Sequence, residues 1–258
     1  IAFSSFSQSA DGIEPEYYLR ALSPAEELML KSMPVKEMPH TYANRDLPYM
    51  VDNSTQPHMR PVFQQDGYSC GQAGGVAYNF TYEIARARNL AANTTLNQYP
   101  THFTWNFMNG GNGWYGVSYL HSFLVLKHCG NPNVEDYGGS LSYGGPVRWM
   151  SGYQEYYNGM FNRITEAYQM PVGTEEELQA LKHWLNDHLD GSAVGGLASF
   201  YAQHVQNPNY LPAGTPEAGK RVLTSFGTSP NHSMTIVGYN DSIRYDYNSD
   251  GQYTNDLD

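Results

Sequence analysis

The spacing of apolar residues predicts a long helix over residues 70–91. Apolar side chains recur there at intervals of three and four, which places them on one face of a helix. They are Ala73, Ala77, Phe80, Ile84, Ala87 and Ala91. Because most of them are small, neighbouring backbone is expected to approach this helix closely, as it does at the centre of a domain.

Three further helices are predicted by their start and stop signals. The first covers residues 24–32, where Ser23 caps the first turn, and the second covers 118–128 and ends before Gly130. The third covers 174–190 and opens with Thr174 and Glu177 in capping-box spacing. We therefore expect helices to dominate the first half of the chain and strands the second.

Two apolar runs in the last third predict buried strands, at residues 193–198 and 234–239. A helical part followed by a strand-rich part predicts an α+β fold with two unlike lobes. We expect an N-terminal extension at 1–46, a helical lobe at 47–165 and a strand-rich lobe at 166–258. The stretch 47–69 is rich in Pro, Asn, Gln, Asp and Gly, and is expected to be an extended loop.

The charge of the chain and the length of its apolar runs argue against two classes of partner, nucleic acid and membrane. The chain has 258 residues, with 14 Lys and Arg against 25 Asp and Glu, and a formal charge of −11. This balance argues against nucleic acid, because phosphate binding depends on basic side chains. No apolar run approaches the roughly 18 residues that a membrane-spanning helix needs. We therefore expect neither a nucleic-acid partner nor a membrane span.

The two cysteines exclude a disulfide framework and draw attention to Cys70 at the start of the small-faced helix. A thiol at a helix N-terminus is expected to have a lowered pKa. His232, just before the second predicted strand, is a candidate base, and Gln64 and Gln65 carry N–H donors for an oxyanion. Cys129 has no such surroundings and is expected to be structural or a free thiol.

Five motifs, in order, resemble those of the papain-like cysteine peptidases. The opening of that family reads Leu-Pro-x-x-Val-Asp, then Pro-Val-x-x-Gln, then Ser-Cys, and it resembles Leu47-Pro48 with Val51-Asp52, Pro61-Val62 with Gln64, and Ser69-Cys70. Gln64 lies six residues before Cys70, as in the family. The other two motifs are Asn109-Gly110-Gly111 and the segment from Asn231-His232 to Val237-Gly238-Tyr239, and the helix and strand at 174–199 also have counterparts in the family. The resemblance covers residues 47–240.

The resemblance implies a papain-like α+β fold in which a helical lobe and a strand-rich, barrel-like lobe enclose the active-site cleft. It implies a peptidase with Cys70 as nucleophile, His232 as base and Gln64 in the oxyanion hole. Gly110, Gly111 and Asn231 would bind a peptide or protein substrate. No cofactor is expected for catalysis, and the chain is expected to be a monomer.

The departures from the family keep other functions open. Gly71 and Gly67 stand where the family has Trp and Cys, and the orienting Asn is not found before Asp258. Either the natural chain continues and supplies it, which we expect, or that residue is missing. An inactive homologue that binds peptides or carbohydrate assemblies, and an amidase or transferase on the same scaffold, are the alternatives.

Two further expectations concern calcium and location. Asp246, Asn248 and Asp250 precede Gly251 in the Asp-x-Asn-x-Asp-Gly pattern of a calcium loop, although Leu257 replaces the usual Glu. A structural calcium ion is therefore expected here, with an ordinary acidic turn as the alternative. The chain begins at Ile1 without Met, as mature exported proteins do, so a bacterial secreted, periplasmic or cell-surface location is expected.

Overall fold

The computed structural model describes residues 22–42, 45–139, 150–203 and 209–255. Its helices are α1 (Pro24–Ser32), α2 (Cys70–Gln72), a π-helix (Ala73–Phe80), α3 (Thr81–Ala87), α4 (Thr101–Asn106), α5 (Tyr119–His128), α6 (Val134–Tyr137), α7 (Tyr153–Gly159) and α8 (Glu175–Asp187), with short 3₁₀ turns at His40–Tyr42, Asn53–Thr55 and Thr95–Asn97. Its strands are β1 (Met50–Asp52), β2 (Ala198–Ala202), β3 (Asn209–Tyr210), β4 (Arg221–Val222), β5 (His232–Ile236) and β6 (Gly238–Asn240). The mixture of helix and sheet confirms the predicted α+β class.

The predicted capping signals operate at two helix starts. Ser23 accepts a hydrogen bond from the backbone of Glu26, and Thr174 accepts one from Glu177, each in a complete capping box. Helix α8 ends earlier than predicted, because His188 adopts a left-handed conformation with φ of 59°. The start signals were thus read correctly, while the end of α8 was set by a non-glycine residue in the left-handed region.

The predicted helix at 70–91 is a composite that ends at Ala87. An α turn from Cys70 leads into the π-helix and then into α3. Ile84 packs against the core as predicted, but Ala87 and Ala91 are exposed, so the predicted buried stripe is wrong beyond Ile84. A π-helix takes more residues per turn than an α-helix, so the buried face shifts along the sequence.

Side chains of two strands support the π-helix. The carbonyl oxygen of Gly74 accepts hydrogen bonds from Thr235 Oγ1 at 3.0 Å and Ser199 Oγ at 3.3 Å. A Cβ at Gly74 would lie 2.7 Å from Ser233 Oγ, so a larger residue would push the strand away. The small face predicted from the sequence therefore serves a close contact with β2 and β5.

The first strand prediction, at residues 193–198, was wrong. The strand begins only at Ala198, and the preceding Gly195 and Gly196 pack against α8. A Cβ at Gly195 would overlap the carbonyl oxygen of Leu185, and one at Gly196 would overlap the Trp184 ring. Residues 195–197 are buried as predicted, but in an irregular segment against a helix, and Ala193 is exposed.

The second predicted strand, at 234–239, is divided at Val237. Strand β5 pairs antiparallel with β2, while β6 pairs antiparallel with β1. The carbonyl of Val237 accepts a hydrogen bond from the Asn53 backbone, and a Cβ at Gly238 would overlap the Val51 carbonyl oxygen. The Val51 backbone approaches Gly238 closely, so the single apolar run forms strands in two ladders, β2–β5 and β1–β6.

Within the described residues the sheets are separate antiparallel pairs, β1 with β6, β2 with β5 and β3 with β4. The first pair joins a strand at 50–52 to one at 238–240, and so links the two segments that the sequence analysis assigned to different lobes. The two-lobed arrangement and the barrel-like lobe stay predictions.

The principal apolar cluster lies between the π-helix and α5. Val76, Phe80, Tyr99 and Leu126 are buried in it. Helix α1 also contacts α5, where the buried carboxylate of Glu26 lies 3.3 Å from His121. Across the described ranges, no helix has both the length and the apolar character needed to cross a membrane.

Candidate active site

The thiol of Cys70 lies where the composite helix meets β5. Cys70 is the first residue of α2 and is only 4% exposed. Strand β5, which contains Ser233, contacts α2 there, and the Ser233 backbone N–H lowers the pKa of the Cys70 thiol. Because Ser233 directly follows His232, the structure brings the backbone of the predicted base next to the predicted nucleophile.

Burial raises the pKa of the Cys70 thiol, and the N–H groups of Ser233, Gly71 and Cys70 itself oppose that rise. This direction is opposite to the lowered pKa that was expected from its position at a helix start. Removing the thiolate from water outweighs the favourable backbone donors. An ionised Cys70 would need a further positive charge beside it, such as a protonated imidazole.

The predicted base opens strand β5. His232 is half-buried and pairs with Ala202 of β2, whose carbonyl oxygen also accepts a 3.1 Å hydrogen bond from the Asn231 backbone. The ladder thus anchors both residues on the strand that contacts α2. The sequence analysis placed His232 just before a strand, and the structure makes it the first strand residue.

Gln64 and Gln65 differ in what their side chains do. Gln64 is exposed and its side chain makes no hydrogen bond with another described residue. The Gln65 amide donates to the carbonyl of Gly67 at 3.4 Å, within its own loop. Gln64 therefore keeps its N–H donors available for a ligand, as the six-residue spacing to Cys70 requires.

The predicted substrate-binding turn adjoins the segment that leads to Cys70. Gly110 and Gly111 are exposed and adopt left-handed conformations, with φ of 62° and 79°. The buried Asn109 side chain accepts a hydrogen bond from the Gly111 backbone at 3.0 Å. The carbonyl of Gly113 accepts one from Tyr68 at 3.3 Å, which ties the turn to the chain two residues before Cys70.

The two glycines that depart from the family motif lie in close packing. A Cβ at Gly67, where φ is 60°, would lie 2.7 Å from the Gly113 carbonyl oxygen. A Cβ at Gly71 would overlap the carbonyl oxygen of Val117. Neither position has room for the Cys or Trp of the family motif, so both departures follow from how the loop at 113–117 packs here.

The sequence analysis missed Ser233 and Tyr201. Tyr201 lies opposite Ser233 in the β2–β5 ladder, and its hydroxyl accepts a hydrogen bond from Tyr119 N at 2.9 Å and lies 2.7 Å from Ser118 Oγ. The Tyr201 and Tyr119 rings stack with centroids 4.3 Å apart. The signal for Ser233 was its place directly after His232, whereas nothing local pointed to Tyr201.

The predicted calcium loop is an exposed turn after β6. The Asp246 carboxylate accepts hydrogen bonds from the backbones of Asp250 and Gly251, and the Asp250 backbone also donates to Asn248. Among the residues with described coordinates, no three His, Cys, Asp or Glu side chains are grouped to hold a metal ion. Calcium binding at Asp246, Asn248 and Asp250 stays a prediction.

The arrangement of helices and strands in this chain is similar to that of a known cysteine protease. The chain is similar to xylellain, a cysteine protease from Xylella fastidiosa, with a TM-score of 0.53 and 17% identity over 92% of this chain and 85% of that chain. The chain has the papain-like fold.

Two other solved structures superpose less closely on this papain-like chain. The proform of the ragweed pollen allergen Amb a 11, a cysteine protease, has a TM-score of 0.47 and 16% identity over 86% of this chain and 60% of that chain. Digestive procathepsin L 3 of Tenebrio molitor larval midgut has a TM-score of 0.46 and 14% identity over 87% and 68%. No protein-family model and no curated protein matches the sequence.

Proposed function

We propose that this chain is a cysteine peptidase that uses Cys70 as nucleophile and His232 as general base and acid. The observation that carries the proposal is the contact between α2, which begins at Cys70, and β5, which begins at His232. Similarity to xylellain, which is described as a cysteine protease, supports a peptidase at the level of fold.

In the proposed mechanism His232 takes the proton of the Cys70 thiol, and the sulfur then attacks the carbonyl carbon of a peptide bond. The exposed amide of Gln64 and the Cys70 backbone N–H would donate hydrogen bonds to the oxyanion. The protonated His232 gives its proton to the leaving amine, which leaves an acyl group on sulfur. Water, deprotonated by His232, then hydrolyses this thioester.

Ionisation of the Cys70 thiol depends on His232 in this account. Burial raises the pKa of Cys70, so thiolate forms only as His232 becomes positively charged. The ion pair would offset the loss of water around the sulfur. His232 is consequently required for the nucleophile to exist, besides its role in proton transfer to the leaving group.

A peptide substrate would bind along the turn at 109–113. Gly110 and Gly111 expose their backbone, and the turn is joined to the nucleophile segment through Gly113 and Tyr68. Exposed backbone groups bind extended peptides by adding a strand. We propose that Gly111 pairs with the substrate backbone and that Asn231, beside His232, borders the same site.

An inactive peptide-binding homologue is the second candidate. The observation that favours it is the buried Cys70 thiol with its raised pKa, because a structural cysteine has the same properties. Such a protein would keep the cleft and the exposed Gly110–Gly111 turn but would not cleave the bound peptide.

Hydrolysis of a fluorogenic peptide library by the purified protein tests the proposal. Cys70→Ala and His232→Ala are expected to abolish turnover, whereas Cys129→Ala, which removes an exposed thiol, is expected to retain it. An epoxysuccinyl inhibitor should add covalently to Cys70, as read by mass spectrometry of tryptic peptides. If the wild type binds peptides without cleaving them and resists the inhibitor, the second candidate is correct.

A further inference from the structure

A cavity of about 400 Å³ lies outside the site described above. It is formed by the loop at 54–62 and by residues 91 and 93, and none of the proposed catalytic or substrate-binding residues lines it. Its volume falls in the range of roughly 300–1,000 Å³ that is typical of small-molecule sites.

Arg60 is the charged residue in the wall of this cavity, and its side chain is 7% exposed. Its Nε has no hydrogen-bond partner, and Nη1 makes only a long, 3.4 Å bond to the Tyr99 carbonyl oxygen. The guanidinium also lies over the Phe63 ring, 4.1 Å from its centroid. Within the ranges that the structure describes, no carboxylate forms an ion pair with it.

A buried cation without an anionic partner is costly, because the charge loses its hydration. The chain has 25 acidic residues against 14 basic ones, so acidic side chains are plentiful, yet none of the described ones is placed at Arg60. Burial lowers the pKa of Arg60 only to about 10, so the side chain is charged at neutral pH. An uncompensated positive charge is therefore buried at the wall of the cavity.

The rest of the wall is mainly apolar. It includes Pro57, Met59, Pro61, Val62 and Ala91. A ligand that matches both features has a compact apolar body and one terminal anionic group, and a guanidinium binds a carboxylate with two parallel hydrogen bonds.

The cavity is held together by contacts between its two segments. The Ala92 backbone donates to the Pro57 carbonyl at 2.9 Å, and His58 Nδ1 donates to the Leu90 carbonyl at 2.7 Å. These bonds fix the loop that carries Arg60 against the residues after α3. The cavity is therefore a built feature of the fold.

We propose that this cavity binds a small apolar carboxylate through Arg60. The free C-terminus of a peptide that ends in an aliphatic residue and a free short-chain aliphatic acid share this chemistry. The site does not depend on the peptidase activity, since its lining residues include neither Cys70 nor His232.

Isothermal titration calorimetry and thermal unfolding of the full chain test the proposal with matched probes. N-acetyl-leucine and hexanoate represent the two sources, and N-acetyl-leucinamide and inorganic phosphate are the controls. We expect at least one carboxylate to bind and to raise the melting temperature, because a ligand of the native state stabilises it by mass action. The uncharged amide should bind about tenfold to a hundredfold more weakly, as for a lost charge-assisted hydrogen bond.

Variants assign the binding to Arg60. Arg60→Met should abolish carboxylate binding, whereas Arg163→Met, the same change at an exposed arginine, should preserve it. Ala91→Trp, which fills the cavity from its exposed edge and keeps Arg60, should also abolish binding and covers the case in which Arg60→Met does not fold. Binding that survives both cavity variants, equal binding of the amide, tighter binding of phosphate, or no binding of either carboxylate would overturn the proposal.

Discussion

The two cysteines of this chain lie at helix ends and yet have opposite surroundings. Cys70 is the first residue of α2, is buried, and lies where α2 contacts β5. Cys129 caps the C-terminus of α5 and is exposed. Burial makes Cys70 the less accessible thiol and disfavours its ionisation. A position at a helix terminus is therefore not enough to make a cysteine nucleophilic, and the reactivity of Cys70 depends on the groups around it.

The largest expected effect tests whether the surroundings of Cys70 include an oxyanion hole. Gln64→Ala is expected to lower turnover about a hundredfold or more, because one oxyanion donor typically contributes roughly 2.7–4 kcal/mol to the barrier. Gln65→Ala is the matched control, since the Gln65 amide donates within its own loop to Gly67. Steady-state kinetics on one peptide substrate measures both. A larger loss of turnover with Gln65→Ala would show that Gln65, and not Gln64, contacts the oxyanion.

A smaller effect tests the packing that surrounds Cys70. Gly71→Ala would force a Cβ against the Val117 carbonyl oxygen, so the free energy of unfolding should fall by about 1–3 kcal/mol. Gly173→Ala, whose Cβ would meet only the end of the Glu177 side chain at 3.4 Å, should change it far less. Urea denaturation measures both variants. Equal effects would mean that the loop at 113–117 does not pack against Gly71 as described.

The smallest expected effect concerns the loop at 246–251, which is exposed to solvent, whereas the Cys70 thiol is buried. If calcium binds there, added calcium should raise the melting temperature, and Asp250→Ala should remove the response. Asp241→Ala, in the acidic residue that pairs with Lys182 at 2.7 Å, is the control for loss of a carboxylate nearby in sequence. Unchanged melting of the wild type with calcium and with chelator would identify an ordinary acidic turn.

Local signals in the sequence were enough to predict the starts of two helices and the fold. The capping boxes at Ser23 and Thr174 use residues within one turn, so they could be predicted without tertiary information. The order of motifs from Gln64 to His232 likewise predicted the papain-like fold that similarity to xylellain supports. Each capping box and each single motif is carried by residue types at short, fixed spacing.

Features set by contacts between distant segments could not be predicted in this way. The π-helix after Cys70 is supported by Ser199 and Thr235, which lie more than a hundred residues further along. The division of the 234–239 run follows from the approach of Val51 to Gly238. The pKa of Cys70 is raised by its burial, which local sequence does not reveal. A prediction from periodicity alone takes every helix as a regular α-helix and every strand as continuous, so it could find neither the π-helix nor the divided strand.

The relative alkylation rates of the two cysteines test the central claim most directly. The native protein is treated with iodoacetamide at pH 6, and modification of each cysteine is followed by mass spectrometry, with denatured protein as the reference for intrinsic reactivity. The account predicts that Cys70 reacts faster than the exposed Cys129 despite its burial, because His232 stabilises the thiolate, and that His232→Ala reverses the order. Faster or equal labelling of Cys129 in the wild type would contradict an activated Cys70.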